Sequence, residues 1–197
     1  KGSAGTGKSL VLLKTLEKLI QQNKQSLFEG EKSIKLITFT HSLEKYNKYV
    51  ATLLNIENPL EEEIIVTSES YVNKILKDAF PNIKLTYTLP KILDVEKNNP
   101  LGQDIWTELD KFILPKCVTQ KEYCEEKIRR TGMKKAQNAG KRKAIWEAVE
   151  TIFTEWNKLE EQSIQYIIYK LIQKIENGEY TIKKKKKTDY LFVDEAQ

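Results

Sequence analysis

Apolar residues crowd residues 8–23, where Leu10, Val11, Leu12, Leu13, Leu16, Leu19 and Ile20 cover most of a helix's circumference. That pattern predicts a helix buried on several sides. Residues 33–40 hold Ile34, Leu36, Ile37 and Phe39 and predict a buried strand. A second helix is expected from Ser42, with Leu43, Tyr46, Tyr49, Val50, Leu53 and Leu54 at helical spacing. Residues 64–67 (Ile-Ile-Val-Thr) predict a second strand. Ser68 or Ser70 is placed to cap the helix after it, whose apolar face is Tyr71, Ile75, Leu76 and Phe80. Strands alternating with helices indicate an α/β fold with a parallel sheet and crossover helices.

The middle of the chain has another texture. Pro81, Pro90, Pro100 and Pro115 punctuate residues 81–116, which predicts short helices and loops. Residues 142–176 are strongly helical in pattern. One stripe is Ile145, Trp146, Val149, Phe153, Trp156 and Leu159, and another is Ile164, Ile167, Ile168, Leu171, Ile172 and Ile175. The expected organisation is a sheet-forming part at 1–80, a mostly helical insertion at 81–181, and a return to the sheet at 182–197 through Tyr190-Leu191-Phe192-Val193. The chain has no internal repeat.

Composition narrows the class without choosing a function. The 197 residues are 40% hydrophobic and 31% charged, which excludes collagen-like, disulfide-scaffold and wholly disordered chains. Apolar runs such as Leu10–Leu13 are far too short to span a bilayer, and no signal peptide is recognisable. Cys117 and Cys124 have no companions at zinc spacing and are expected to be free thiols in a reducing cytoplasm. The chain opens on Lys1-Gly2-Ser3 and closes on Asp194-Glu195-Ala196-Gln197, both inside motifs, so it is expected to be part of a longer protein.

The opening motif carries the sharpest chemistry. Gly2-Ser3-Ala4-Gly5-Thr6-Gly7-Lys8-Ser9 matches the phosphate-binding pattern G-x-x-x-x-G-K-[ST]. Glycines let successive backbone N–H groups converge on one anion, and the helix that follows adds its N-terminal dipole. Lys8 is then expected on the β- and γ-phosphates and the Ser9 hydroxyl on Mg²⁺. Chance coincidence of the four specified positions is on the order of one such chain per hundred or fewer. The plainer alternative is a glycine-rich turn capping a buried helix.

The closing motif complements it. The apolar run 190–193 ends on Asp194-Glu195. In P-loop enzymes an acidic residue at the end of a buried strand holds Mg²⁺, and a second carboxylate can orient and deprotonate the attacking water. Asp194 fits the first role and Glu195 the second.

Together the two ends resemble motifs I and II of superfamily I helicases, the UvrD/Rep group above all. Leu191-Phe192-Val193-Asp194-Glu195-Ala196-Gln197 closes on Gln, where superfamily II commonly has Asp or His. Residues 37–42 (Ile-Thr-Phe-Thr-His-Ser) resemble motif Ia, and residues 65–71 (Ile-Val-Thr-Ser-Glu-Ser-Tyr) resemble the next strand-to-helix junction. The segment from Ala144 through Trp156 to motif II resembles the end of the helical subdomain inserted in the first motor lobe. The resemblance implies a P-loop NTPase (RecA-like) parallel sheet, incomplete over these residues, with a mostly helical inserted subdomain. It implies an ATP- and Mg²⁺-dependent DNA helicase that moves along single-stranded DNA and separates duplexes.

Carried over by motif, Gly2, Gly5, Thr6, Gly7, Lys8 and Ser9 cradle the nucleotide, and Ser9 and Asp194 hold Mg²⁺. Glu195 activates water, and Gln197 couples the γ-phosphate to the DNA-binding elements. Lys14 falls near a position where the family often has an Arg beside the adenine, a departure because Lys lacks the planar face. Thr38, Thr40 and Thr67 fall where the family touches the DNA backbone. The family's adenine-reading motif would precede Lys1, and motif III and a second lobe with arginine fingers would follow Gln197. Residues 1–197 alone are therefore expected to hydrolyse ATP poorly, and their sheet to lack the strand before the P-loop. A second reading is a P-loop ATPase switch that regulates a partner or nuclease without unwinding. A third, a degenerate DNA-binding module, is disfavoured by intact Lys8, Ser9, Asp194 and Glu195.

Other features carry less. Residues 127–143 hold Lys127, Arg129, Arg130, Lys134, Lys135, Lys141, Arg142 and Lys143 with no acidic residue. This segment is either a phosphate grip or a solvated loop made flexible by Thr131, Gly132 and Gly140, and the resemblance favours the grip. The lysine run 183–187 is expected to be solvated. His41 is expected to be structural or close to DNA, Trp146 and Trp156 to pack in the core, and Trp106 has no assignment.

Overall fold

The computed structural model describes residues 7–25, 32–56, 63–90, 101–125, 133, 137–182 and 187–194. It is a mixed α/β protein, mostly helical, with small parallel sheets. The chain divides into two compact units, residues 1–75 with 182–197 and residues 76–181.

In the first unit, α1 (Lys8–Gln25) is followed by β1 (Ile34–Thr38), α2 (His41–Leu53), β2 (Ile65–Thr67), most of α3 (Ser68–Ala79) and, at the far end of the chain, β5 (Tyr190–Val193). The three strands form a parallel sheet in the order β2-β1-β5. The register sets Leu36 against Ile65 and Phe192, and Ile37 against Val66 and Val193. A central parallel strand is covered on both faces, which accounts for the near-continuous apolar run of β1. Leu13, Leu16 and Ile20 of α1 pack with Ile34, Leu36, Ala51 and Ile65 in one cluster.

Two helices turn differently from their sequence pattern. α1 buries one face, through Leu13, Leu16 and Ile20, while Leu10 and Val11 stay exposed, so it is not enclosed on several sides. In α2 the inward residues are Asn47 and Ala51, with Val50 and Leu54 half-buried, and Tyr46, Tyr49 and Leu53 face solvent. A small Ala and a polar Asn hold the positions where the pattern expects bulky apolar groups. The helix starts also shift. Thr40 caps α2, accepting from the Leu43 N–H at 3.2 Å. Thr67 Oγ1 accepts from the Ser70 N–H at 3.1 Å, so Thr67 takes the capping role expected of Ser68 or Ser70. In β5, which ends the strand order among the described residues, Leu191 and Val193 are exposed.

The second unit contains β3 (Lys84–Thr86), α4 (Gly102–Glu108), a π-helical turn at Leu109–Ile113, α5 (Gln120–Cys124), α6 (Ala139–Trp156), β4 (Glu161–Ser163) and α7 (Ile164–Glu176). The pair β3-β4 is a parallel ladder that corrects the expectation of helices and loops alone. Its strands, Lys-Leu-Thr and Glu-Gln-Ser, are too short and too polar to show an apolar period. The continuous helical pattern over 142–176 is likewise broken. α6 ends at Trp156, and Ile152 rather than Leu159 completes its buried face. In the π turn the wider spacing lets Leu109, Phe112, Ile113 and Leu114 all enter the core.

That core is aromatic. Phe153 stacks on Tyr166 at 4.9 Å between centroids, and Trp156 meets Tyr166 edge-on at 5.0 Å. Trp146 donates to Glu150 at 2.9 Å and Trp156 to the Pro90 carbonyl at 2.8 Å, so both indoles pack as core groups with their N–H satisfied. Trp106 packs against the same core, 6.3 Å from Trp156. Thr119 and Glu122 form a reciprocal capping box at the start of α5.

Burial pushes the phenols of Tyr166 and Tyr169 up to about 12, although a hydrogen bond to Asn157 pulls Tyr166 the other way. Because both folded pKa values lie above the unfolded value, this contribution to stability is complete below pH ~10 and is lost as pH rises through ~12. Denaturant midpoints measured against pH should therefore fall across that window, with delayed tyrosinate absorbance. Ionisation of every tyrosine near pH 10 in the folded protein would contradict this.

Candidate functional site

The carboxyl ends of β1, β2 and β5 lie on one edge of the sheet, where strand-to-helix turns place polar groups. Gly7, which ends the glycine-rich segment, has φ of +70°, and its carbonyl accepts from the Val11 N–H at 3.0 Å. A side chain there would strain the turn that starts α1. Ser9, in the first turn of α1, donates from Oγ to both Asp194 oxygens, at 3.0 Å to Oδ2 and 3.2 Å to Oδ1. Asp194 follows β5 directly, its own N–H bonded to the Ile37 carbonyl of β1 at 2.9 Å. The two ends of the sequence, 185 positions apart, thus meet as a hydroxyl and a carboxylate.

A third group completes the cluster. Asn47 of α2 donates from Nδ2 to Asp194 Oδ2 at 3.0 Å. It is 1% exposed, and Asp194 is 5% exposed. The sequence reading missed Asn47, because a lone Asn within a helix pattern looks like a solvent-facing residue. The one available signal was its register one turn before Ala51.

Other sequence-predicted residues are distributed as follows. Lys8 is the first residue of α1, half-buried. Lys14 pairs with Glu17 at 2.8 Å on the exposed side of α1. Thr38 and Thr67 are buried, so their hydroxyls face the protein. Thr38 Oγ1 lies 3.4 Å from the Thr40 carbonyl and 3.5 Å from the Val66 carbonyl. Of the three threonines only Thr40 is exposed. Beside it Phe39 is 76% exposed, an aromatic face that the sequence reading assigned to the strand's core. His41 pairs with Glu44 at 3.2 Å, and Lys48 reaches the same carboxylate at 2.6 Å. Burial raises the Glu44 pKa, but the hydrogen bonds from Lys48 and His41 outweigh it and leave the carboxyl below its usual range.

Gly2, Gly5 and Thr6, the basic residues Arg129, Arg130, Lys134 and Lys135, and the motif II residues Glu195 and Gln197 lie outside the described residues. The end of the basic segment is helical rather than loop. Gly140, Lys141, Arg142 and Lys143 lie in α6, and Lys141 pairs with Asp104 at 2.6 Å. Lys187 precedes β5, whose amino end is fixed by Asp189 accepting from the Ser33 N–H at 2.8 Å. It therefore sits on the sheet edge away from Asp194.

The oxygens of Ser9 and Asp194 are hard donors at a helix N-terminus, the chemistry that suits a small divalent cation with a phosphate ligand. Among the described residues no group of three or more His, Cys, Asp or Glu is set to hold a metal. Mg²⁺ needs no such cage, because it takes one or two protein oxygens beside phosphates and water. Among the described residues no helix is long and apolar enough to cross a membrane.

A hydroxyl at a helix start bonded to a carboxylate at a strand end, in a chain whose sequence carries G-x-x-x-x-G-K-S, fits a nucleotide-binding domain. The family model for the UvrD/REP helicase N-terminal domain matches residues 1–197, and the chain belongs to that family. Membership implies the ATP-binding function of a helicase, in a family of ATP-dependent DNA helicases that use ATP and Mg²⁺. No curated protein and no solved structure matches the chain.

The cap at Thr67 provides a local test. Thr67→Val keeps the shape and removes the acceptor for the Ser70 N–H, and should cost about 1 kcal/mol in chemical denaturation. An unchanged midpoint would show that water replaces the cap without loss.

Proposed function

We propose that residues 1–80 and 182–197 form the RecA-like ATP-binding part of a motor that couples ATP hydrolysis to movement on single-stranded DNA and duplex unwinding. Residues 81–181 form its inserted helical subdomain. The observation that carries this reading is the Ser9–Asp194 hydrogen-bonded pair, which brings the two halves of the phosphate and cation chemistry together. Bound Mg²⁺ supplies charge neutralisation on the β- and γ-phosphates.

The chain's own residues do the rest. The backbone of Gly2–Gly7 and the N-terminus of α1 bind the phosphates, and Lys8 adds a positive charge to them. Ser9 Oγ and the Asp194 carboxylate hold the cation. Glu195 takes a proton from the attacking water, and Gln197 passes the state of the γ-phosphate to the DNA-binding elements. Lys14 stands near the position where the family often has an Arg beside the adenine. Thr40 contacts the DNA backbone, and Thr38 and Thr67 shape the turns that present it. Phe39, exposed at the same edge, offers a base a stacking face. Arg129, Arg130, Lys134 and Lys135 neutralise DNA phosphates. The family's second motor lobe supplies the arginine fingers that full activity requires.

Steady-state ATP hydrolysis by the full-length protein, with and without single-stranded DNA, tests this. Hydrolysis should rise strongly with DNA, and Lys8→Ala should lower the stimulated rate by about 10²-fold or more. Hydrolysis indifferent to nucleic acid would overturn the motor reading.

A further inference from the structure

Asn47 breaks a local rule and is compensated at one point only. An Asn in a helix interior has poor propensity, and a buried amide is costly unless bonded. Asn47 nevertheless occupies the inward position of α2, one turn before the fully buried Ala51. A Leu or Met would fill such a position at no polar cost. Its Nδ2 is bonded to Asp194 Oδ2, while its Oδ1 is buried with no hydrogen-bond partner among the described residues. The amide cannot turn round, because that would set its oxygen against the carboxylate. Deviations of this kind concentrate where function, rather than packing, chose the residue.

We propose that Asn47 is a positioning residue for the cation site: its Nδ2–H fixes the rotation of the Asp194 carboxylate. Without Asn47 the carboxylate has, among the described residues, only the Ser9 hydroxyl to hold it. That hydroxyl would also meet a bound cation through a lone pair, so the angle of its hydrogen bond to Asp194 shifts as the cation comes and goes. Asn47 has no such second task, so it maintains the carboxylate geometry through loading and release of the nucleotide. Partners of this kind set the orientation of a ligand and typically change metal affinity by about 10–100-fold when removed. The inference rests on the reading of Ser9 and Asp194 as cation ligands.

The test uses the full-length protein with Mn²⁺ as the probe. Mn²⁺ binding is followed by electron paramagnetic resonance in the presence of a non-hydrolysable ATP analogue, and analogue binding is measured separately without metal. Asn47→Leu keeps the branching at Cγ and removes the amide. It should weaken Mn²⁺ binding by about tenfold or more and leave metal-free nucleotide affinity within about twofold. Its lost ATPase rate should return as Mg²⁺ is raised, which a general packing defect would not allow. Where Asn47→Leu fails to fold, Asn47→Ser must show the same metal-specific loss. A folded variant that binds Mn²⁺ as tightly as the unaltered protein overturns the inference and leaves the cation site intact. Absence of nucleotide-dependent Mn²⁺ binding in the unaltered protein overturns the cation site itself, and the inference with it.

Discussion

The carboxylate of Asp194 is the point on which the first unit converges. It accepts from Ser9 at the start of α1 and from Asn47 inside α2, and its backbone N–H is tied to β1. Each bond has a different origin in the sequence. The first joins residues 185 positions apart, the second joins residues 147 apart, and the third extends the β1–β5 ladder by one bond. A buried carboxylate is tolerated only with hydrogen-bond partners or charge to compensate it. Here the partners come from α1 and α2, the helices that start beside the sheet's carboxyl edge.

The sheet makes this convergence possible. Parallel strands put all their carboxyl ends on one edge, so the residues that follow β1, β2 and β5 become neighbours whatever their separation along the chain. Thr38, Thr67 and Asp194 are buried there as polar groups, while Thr40 and Phe39 remain open to solvent. The exposed ring of Phe39 thus lies at the same sheet edge as the buried Ser9–Asp194 pair.

Much of this was readable from residue patterns, for reasons that differ by element. β1 and β5 announce themselves because strands of a parallel sheet carry apolar runs, and Ser9 and Asp194 because the P-loop spacing and the strand-end carboxylate are chemically specific. Asn47 was not readable, since nothing in a single sequence separates an inward Asn from a surface one. The outward turn of Tyr46 and Tyr49 was missed for the same reason, as helical spacing gives a stripe but not which stripe is covered. β3 and β4 were invisible because three polar residues in a ladder have no period. The stop of α6 at Trp156 also escaped the pattern. It is a tertiary effect, with Tyr166 donating to Asn157 Oδ1 at 3.1 Å across the break.

On the proposed reading, Asp194 and Ser9 form one cation site that serves a bound nucleotide. The most direct measurement is the affinity of a fluorescent ATP analogue with and without Mg²⁺, in the unaltered protein and in Asp194→Asn. Mg²⁺ should tighten binding in the unaltered protein and have no effect in the variant, while metal-free affinities stay alike. Equal Mg²⁺ enhancement in both proteins would contradict it.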